Sequence, residues 1–207
     1  MTLQNRVDPH GNILAVQTRG SMFGNRGGRI HDVETKTLLK RRWASKHWII
    51  CVTEFRGRQR NVMGNSYTEL FFLDELTALA AGHRPCFECR NAQAKSYQAA
   101  FRDAHGMAEN PKVKVMDDIL HSERLEGTRK RYHFVLNTEL VDGAFILFDE
   151  APHAVKNGRL LKWSFEGYQE TDVPVTDLPN EIKLLTPPSS LAALRHGYQP
   201  LWHESAF

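Results

Sequence analysis

Residues 70–90 read LFFLDELTALAAGHRPCFECR, and this stretch carries the clearest structural signals in the chain. Residues 67–73, in which aromatic and aliphatic side chains predominate, predict a strand. Asp74 can cap a short helix after it, Gly82 is suited to end that helix, and Pro85 prevents its continuation. The segment therefore predicts a strand, a short helix and a turn in immediate succession.

The turn contains a Cys-x-x-Cys pair, Cys86 and Cys89, and helical periodicity predicts a second helix from about Cys89 to His105. Two thiolates at this spacing can chelate one metal ion, and zinc normally takes four protein ligands in a structural site. Cys51, and His47 four residues before it on the same strand face, are the preferred candidates for the remaining ligands. Four other histidines are alternatives: His31, His83, His105 and His203. A reactive thiol at the helix N-terminus is the alternative interpretation of the pair.

The stretch from residue 70 to residue 90 resembles the zinc-binding domain of the Ada family of DNA alkylation-repair proteins. That family has a strand, a short Ala/Leu helix, the sequence Gly-aromatic-Arg-Pro-Cys and a second cysteine in this order. The resemblance implies a related local fold and zinc binding. The family also carries an upstream Cys-x-x-x-Cys pair that includes its methyl acceptor, whereas Phe55–Arg60 contains no cysteine. Methyl transfer is therefore not expected, and zinc would need a rearranged ligand set.

Composition limits the class of protein. The chain has 207 residues, of which 41% are hydrophobic, so it can bury a substantial core without disulfides. Three cysteines are too few for a secreted disulfide framework, and the N-terminus has no signal-peptide pattern. The longest apolar runs are of strand length. These features predict a cytoplasmic protein without a membrane partner.

Charge is unevenly distributed along the chain. Residues 1–66 contain 12 Lys and Arg against 4 Asp and Glu, a net charge of +8, and the remainder carries −5. Such a field favours nucleic acid or another phosphate-bearing partner, while a solvated basic face with no such role remains the alternative. Eleven cations from the basic segments are the candidates for phosphate contacts: Arg19, Arg26, Arg29, Arg41, Arg42, Arg56, Arg58, Arg60, Arg129, Lys130 and Arg131.

The order of the predicted strands and helices indicates two parts that pack together as one compact unit. Residues 1–106 should contain a Gly/Arg-rich loop over residues 18–29, a basic hairpin that turns at residues 56–58, and the Ada-like unit. Residues 107–207 should form an antiparallel meander followed by a C-terminal helix. The predicted fold class is α+β, with antiparallel strands, a few short helices and the Cys-x-x-Cys turn at a helix N-terminus.

The predicted meander has strands at about residues 131–137, 143–149, 153–156 and 159–164. Asp142-Gly143 and Asn157-Gly158 lie between them and are hairpin signals. The pattern Leu-x-Ala-Leu-x-x-Gly-x-x-Pro occurs at residues 76–85 and again at residues 191–200. It indicates either the same helix-ending chemistry used twice or a duplicated unit.

Three functions fit these observations. The leading hypothesis is a nucleic-acid-associated protein with a zinc-binding cysteine turn, which binds DNA or RNA through the basic first third of the chain and the cluster at residues 124–131. The second is a small-molecule or nucleotide-modifying enzyme with a pocket between the two parts, lined by Arg26, Arg29, His31 and His203. The third is a scaffold without catalysis.

Overall fold

The first part of the chain forms a mixed six-stranded sheet. The computed structural model describes residues 2–207. Strand order in this sheet is β2-β1-β5-β3-β4-β6, in which the β1/β5 and β4/β6 pairs are parallel and the others antiparallel. In chain order the strands are β1 (Arg6–Val7), β2 (Ile13–Leu14), β3 (Met22–Arg26), β4 (Trp48–Val52), β5 (Leu70–Phe72) and β6 (Arg84–Pro85).

The two faces of this sheet have different surroundings because side chains alternate along each strand. Met22 and Ile50 point to one face and join the main hydrophobic core, which the helices cover. Phe23 and Cys51 are paired across β3 and β4 and point to the other face, where they form a smaller cluster with Phe71. We call these the helix face and the thiol face.

Two predictions for the N-terminal part are wrong. The Gly/Arg-rich segment at residues 18–29 is not only a loop, because it contains the fully buried strand β3. Gly24 permits this strand, since a Cβ atom there would lie 2.0 Å from the carbonyl oxygen of Ile49. The basic hairpin at residues 56–58 is also absent from the described residues 2–207, because β4 pairs with β3 and β6 and no strand lies between residues 53 and 69.

Four α-helices follow the strands: α1 (Glu75–Ala80), α2 (Asn91–Ala104), α3 (Val113–Arg124) and α4 (Pro188–Arg195). Asp74 caps α1 as predicted, since its carboxylate accepts a hydrogen bond from the Thr77 backbone N–H at 2.9 Å. The Cys-x-x-Cys turn directly precedes α2, as expected. Helix α3 was not predicted from the sequence.

The second part is an all-antiparallel sheet with strand order β13-β12-β11-β10-β14-β9. A separate small hairpin, β7 (Leu125–Glu126) with β8 (Arg129–Lys130), precedes it. The strands of the large sheet are β9 (His133–Leu136), β10 (Phe145–Phe148), β11 (Ala151–Lys156), β12 (Arg159–Trp163), β13 (Tyr168–Pro174) and β14 (Glu181–Leu184). Mixed sheets and short helices confirm the α+β class.

Helix α1 lies between the two sheets. Leu73, Leu76 and Ala80 pack against Phe145 and its neighbours in the second sheet. The indole N–H of Trp163 donates to the Thr77 hydroxyl at 3.0 Å. Ala78 and Leu79 of the same helix belong to the core of the first sheet, so α1 contributes to the hydrophobic clusters of both sheets.

The repeated helix-ending pattern gives the same hydrogen bonds in both places. Gly82 and Gly197 both have positive φ, 86° and 90°, and each backbone N–H bonds to the carbonyl three residues before it. The next residue, His83 or Tyr198, bonds to the carbonyl five residues before it. These are the two bonds of a helix C-terminus with a left-handed glycine, and they account for the repeated spacing.

Among residues 2–207, no helix has the length and apolar character needed to cross a membrane.

Candidate metal centre and cationic cavity

Three cysteine side chains converge on the thiol face. The parallel pairing of β4 with β6 places Ile50 opposite Pro85, and the Cys86 N–H bonds to the Ile50 carbonyl at 2.9 Å. Cys86 therefore lies beside Cys51, and the turn brings Cys89 to the same point. The three sulfur atoms lie within 4.8 Å of one another, which is close enough for one metal ion.

The local backbone and the neighbouring thiols favour a thiolate at Cys86. Hydrogen bonds from the Cys51 and Cys89 side chains, followed by backbone N–H groups of the turn, lower the pKa of Cys86 to about 2, although burial opposes this. The Glu88 N–H lies 3.4 Å from the Cys86 sulfur. The same thiol contacts and burial raise the pKa of Cys51. We call Cys51, Cys86 and Cys89 the thiol cluster.

His47, the fourth predicted ligand, lies elsewhere. Its Nδ1 atom is 2.9 Å from the Asp117 carboxylate and 3.0 Å from the Arg84 guanidinium. Arg84 in turn makes two hydrogen bonds to Asp117, of 2.8 and 3.0 Å. Of the four predicted metal ligands the fold unites the three cysteines, and His47 contributes to a buried charge network instead.

A basic groove adjoins the thiol cluster on the same face. It consists of two hollows of about 340 and 110 Å³ that share Arg19, Val62 and Phe71 as lining residues. The guanidinium of Arg19 lies 4.4 Å from the centre of the Phe71 ring, and that of Arg60 lies 4.3 Å from the centre of the Phe23 ring. Both rings pack in the same cluster as Cys51 and Cys86, so the groove begins next to the thiols.

A larger cavity of about 780 Å³ lies across the sheet, beside Trp48 on the helix face. We call it the cationic cavity, because five cationic and no acidic side chains line it. The cations are Arg26, Arg42, Arg124, Arg129 and Lys130. The aromatic side chains of the lining are Trp43, Trp48 and Tyr132.

The predicted phosphate-contacting residues separate into three groups. Three line the basic groove, Arg19, Arg58 and Arg60, and Arg56 lies over the same Phe55 ring as Arg58. Four line the cationic cavity: Arg26, Arg42, Arg129 and Lys130. The other three bond to backbone or remain at the surface: Arg29, Arg41 and Arg131. The basic segments thus supply two separate regions rather than one continuous surface.

The four side chains expected to line an enzyme pocket do not converge. His31 is buried, and its ring nitrogens lie 2.6 Å from the Thr68 hydroxyl and 2.8 Å from the Gly64 carbonyl. His203 lies near the C-terminus, where its ring bonds to Ser205. Neither histidine lines the cationic cavity, and of the four only Arg26 does.

One arginine of these sites, Arg6, was not singled out as a ligand-contacting residue from the sequence. It belongs to the two-residue strand β1 and lines the basic groove. No local pattern distinguishes it from an ordinary surface arginine. Arg124, at the end of helix α3, belongs to the basic cluster at residues 124–131 that the sequence indicated, and it lines the cationic cavity.

Comparison with known proteins leaves the geometry as the basis for interpretation. No protein-family model, no curated protein and no solved structure matches the chain. The chemistry of the thiol cluster, the basic groove and the cationic cavity therefore has to be derived from their own residues.

Proposed function

We propose that this protein binds one zinc ion through Cys51, Cys86 and Cys89 and associates with nucleic acid through the arginines beside that ion. The observation that carries the proposal is the convergence of Cys51 on the Cys-x-x-Cys turn, next to the basic groove.

Zinc fits the donor set because thiolate sulfur is a soft ligand that zinc accepts in tetrahedral sites. Three protein ligands leave the fourth position for water or a bound ligand. The resemblance of residues 70–90 to the Ada family supports the same metal. Three cysteines that remain free thiols accord with a reducing compartment such as the cytoplasm.

Methyl transfer is not part of the proposal. The chain has no Cys-x-x-x-Cys pair, since its three cysteines are at positions 51, 86 and 89. The zinc ion is proposed to hold β4 and the turn before α2 together and to present the surrounding cations.

Nucleic acid fits the groove because guanidinium groups contact phosphates, and such contacts position a protein on a strand without reading its sequence. Within residues 2–207, no carboxylate oxygen lies within 4.0 Å of the side-chain nitrogens of Arg6, Arg19 or Arg60. Arg6 and Arg19 both lie over Phe71, at 5.1 and 4.4 Å from the ring centre. These charges are available to phosphate groups.

The first prediction concerns the metal. Elemental analysis of the purified protein should give about one zinc per chain, and Cys51→Ser, Cys86→Ser and Cys89→Ser should each lose it, because a neutral hydroxyl replaces a thiolate ligand. A chelator should also lower the melting temperature, since metal binding contributes to folding free energy.

His47→Ala is the matched control for the metal. Its ring contacts Asp117 and Arg84 rather than the thiols, so this variant should retain zinc. Wild-type protein that stays free of metal after incubation with zinc would rule out the metal centre, and so would serine variants that keep a full equivalent.

The second prediction concerns nucleic acid. Affinity for short DNA and RNA oligonucleotides, measured by fluorescence anisotropy, should fall steeply between about 50 and 200 mM salt. Arg19→Ala and Arg60→Ala should each weaken binding and reduce the slope of log K against log salt by about one, because each removes one phosphate contact.

Arg159→Ala provides the matched control for nucleic acid. Arg159 is an exposed arginine of β12, in the sheet that does not carry the thiol cluster, so its loss should leave affinity and slope unchanged. Negligible binding at low salt would refute the nucleic-acid partner, and equal effects of all three substitutions would refute the assignment to the groove.

A further inference from the structure

The cationic cavity contains more positive charge than the protein neutralises. Arg26 and Arg124 line it and are only 3% and 1% exposed. Within residues 2–207, no carboxylate oxygen lies within 4.0 Å of the side-chain nitrogens of Arg26, Arg124 or Lys130. Burial of a charge is costly unless it is paired, so this arrangement requires compensation.

Trp48 fixes the two arginines in place. The Arg26 guanidinium lies 4.1 Å from the centre of its ring, and the Arg124 guanidinium lies 3.8 Å from it. The Gly11 carbonyl oxygen accepts a hydrogen bond from Arg26 Nη2 at 2.8 Å, and the Gly82 carbonyl oxygen accepts one from Arg124 Nη1 at 2.8 Å. The cations are therefore preorganised rather than mobile.

Some donors of this cluster have no acceptor in the protein. The Nε atoms of Arg26 and Arg124 are buried and have no hydrogen-bond partner among residues 2–207. A buried donor without an acceptor costs about 1–3 kcal/mol. Both guanidinium groups line the cavity, so an anion bound there would compensate their positive charge, which the unpaired buried Nε donors leave uncompensated within the protein.

The electrostatics of the cavity agree with this geometry. Burial, together with the charges of Arg26 and Arg124, lowers the pKa of Lys130 to about 7, although Asp8 opposes the shift. Asp8 does not pair with these cations, because its two carboxylate oxygens accept hydrogen bonds from Asn12 at 2.8 and 2.9 Å. Burial and mutual repulsion thus destabilise the charged forms of the cluster.

We propose that the cationic cavity binds a nucleoside phosphate. Arg26, Arg124 and Lys130 hold the phosphate oxygens, and the base packs against the aromatic side chains at the same cavity, Trp43 and Tyr132. The volume of about 780 Å³ is that of a small-molecule site. Guanidinium groups suit phosphate geometry, and aromatic rings offer stacking surfaces for a base.

This site is independent of the thiol cluster. Trp48 and Cys51 belong to the same strand but point to opposite faces of the sheet. The thiol cluster and the cationic cavity share no residue, so failure of either proposal does not affect the other.

Calorimetric titration of the full chain with AMP, ADP, adenosine, inorganic phosphate and a 5′-phosphorylated oligonucleotide tests the proposal. The nucleotides should bind and raise the melting temperature. Adenosine, which lacks phosphate, should bind at least about tenfold more weakly. Inorganic phosphate should compete for the site at higher concentration.

Lys130→Gln is the informative variant, because it removes the charge and keeps a donor for the Ala80 carbonyl that Lys130 contacts. It should weaken ADP binding by about 10- to 100-fold. Lys156→Gln is the matched control, since Lys156 is also a half-buried lysine that donates to a carbonyl, that of Ala206, but lies outside the cavity. Trp43→Ala should weaken the binding of ADP more than the binding of inorganic phosphate.

Three results would overturn the proposal. They are absence of binding by either nucleotide at millimolar concentration, equal affinities of Lys130→Gln and Lys156→Gln for ADP, and binding of the phosphorylated oligonucleotide alone. The last result would assign the cavity to the end of a nucleic-acid strand rather than to a small molecule.

Discussion

Replacement of Glu75 by alanine is expected to lower the free energy of unfolding by about 3–5 kcal/mol, because it leaves the Arg90 guanidinium buried without its counter-charge. The Arg90 Nη2 atom lies 2.7 Å from the Glu75 carboxylate, and both side chains are almost fully buried, at 1% and 0% exposure. Urea denaturation monitored by circular dichroism measures the effect.

Glu75 also connects the start of α2 with the C-terminal segment. Its carboxylate accepts hydrogen bonds from the Tyr198 hydroxyl and, at 2.8 Å, from the Leu201 backbone N–H. Burial and the negative charge of Glu75 raise the pKa of Tyr198, so this phenol stays protonated and donates. The alanine variant would lose all of these contacts together.

Glu139→Ala is the control for this prediction. Glu139 pairs with Arg195 at 3.2 Å, but the two side chains are 40% and 45% exposed, so its removal should cost at most about 1 kcal/mol. If both variants lost the same small amount of stability, Glu75 and Arg90 would not form the buried pair described.

Gly20→Ala should be the second strongly destabilising change, at about 3 kcal/mol or more. Gly20 has φ +79°, and a Cβ atom there would lie 2.0 Å from the Phe72 carbonyl oxygen. A left-handed conformation costs an L-residue about 1–2 kcal/mol, and overpacking adds about 1–3 kcal/mol. Urea denaturation again provides the measurement.

Gly106→Ala separates the cost of the left-handed conformation from the cost of overpacking. Gly106 also has positive φ, +58°, but nothing lies within 4 Å of a Cβ atom at that position. It should therefore show the conformational cost alone, about 1–2 kcal/mol. Equal losses of unfolding free energy in the two variants would mean that the backbone at Gly20 moves away from Phe72 without an energetic cost.

Local signals explain the predictions that the structure confirms. The cap at Asp74 and the glycine that ends α1 act within a few residues of the helix they delimit. Asn157-Gly158 connects β11 and β12 with positive φ at both residues, 49° and 71°, as a tight hairpin requires. Such features need no information about distant parts of the chain.

Asp142-Gly143 shows where local signals fail. It was expected to form a hairpin between two successive strands, but β14 lies between β9 and β10, so those strands are not paired. The turn from β10 to β11 instead uses Asp149 and Glu150, both with positive φ. Neither residue is a glycine, so the sequence placed this connection only between the strands predicted at residues 143–149 and 153–156, without identifying its turn residues.

The thiol cluster was predictable in part. Cys86 and Cys89 form a local motif, and Cys51 was a candidate because the chain contains only three cysteines. Tertiary contacts decided that Cys51 joins the pair and that His47 does not. Asp117 belongs to α3 and pairs with His47, and no spacing in the sequence connects those two residues.

The sequence by itself determined the α+β class, the frame of α1 and α2, the Cys-x-x-Cys turn and the excess of cations in the first third of the chain. Only the tertiary structure decided which strands pair, that Cys51 joins the turn, and that the cations divide between a groove and a buried cavity on opposite faces of one sheet. Caps and turns depend on neighbouring residues, whereas strand pairing and the burial of a charge depend on residues brought together from far along the chain.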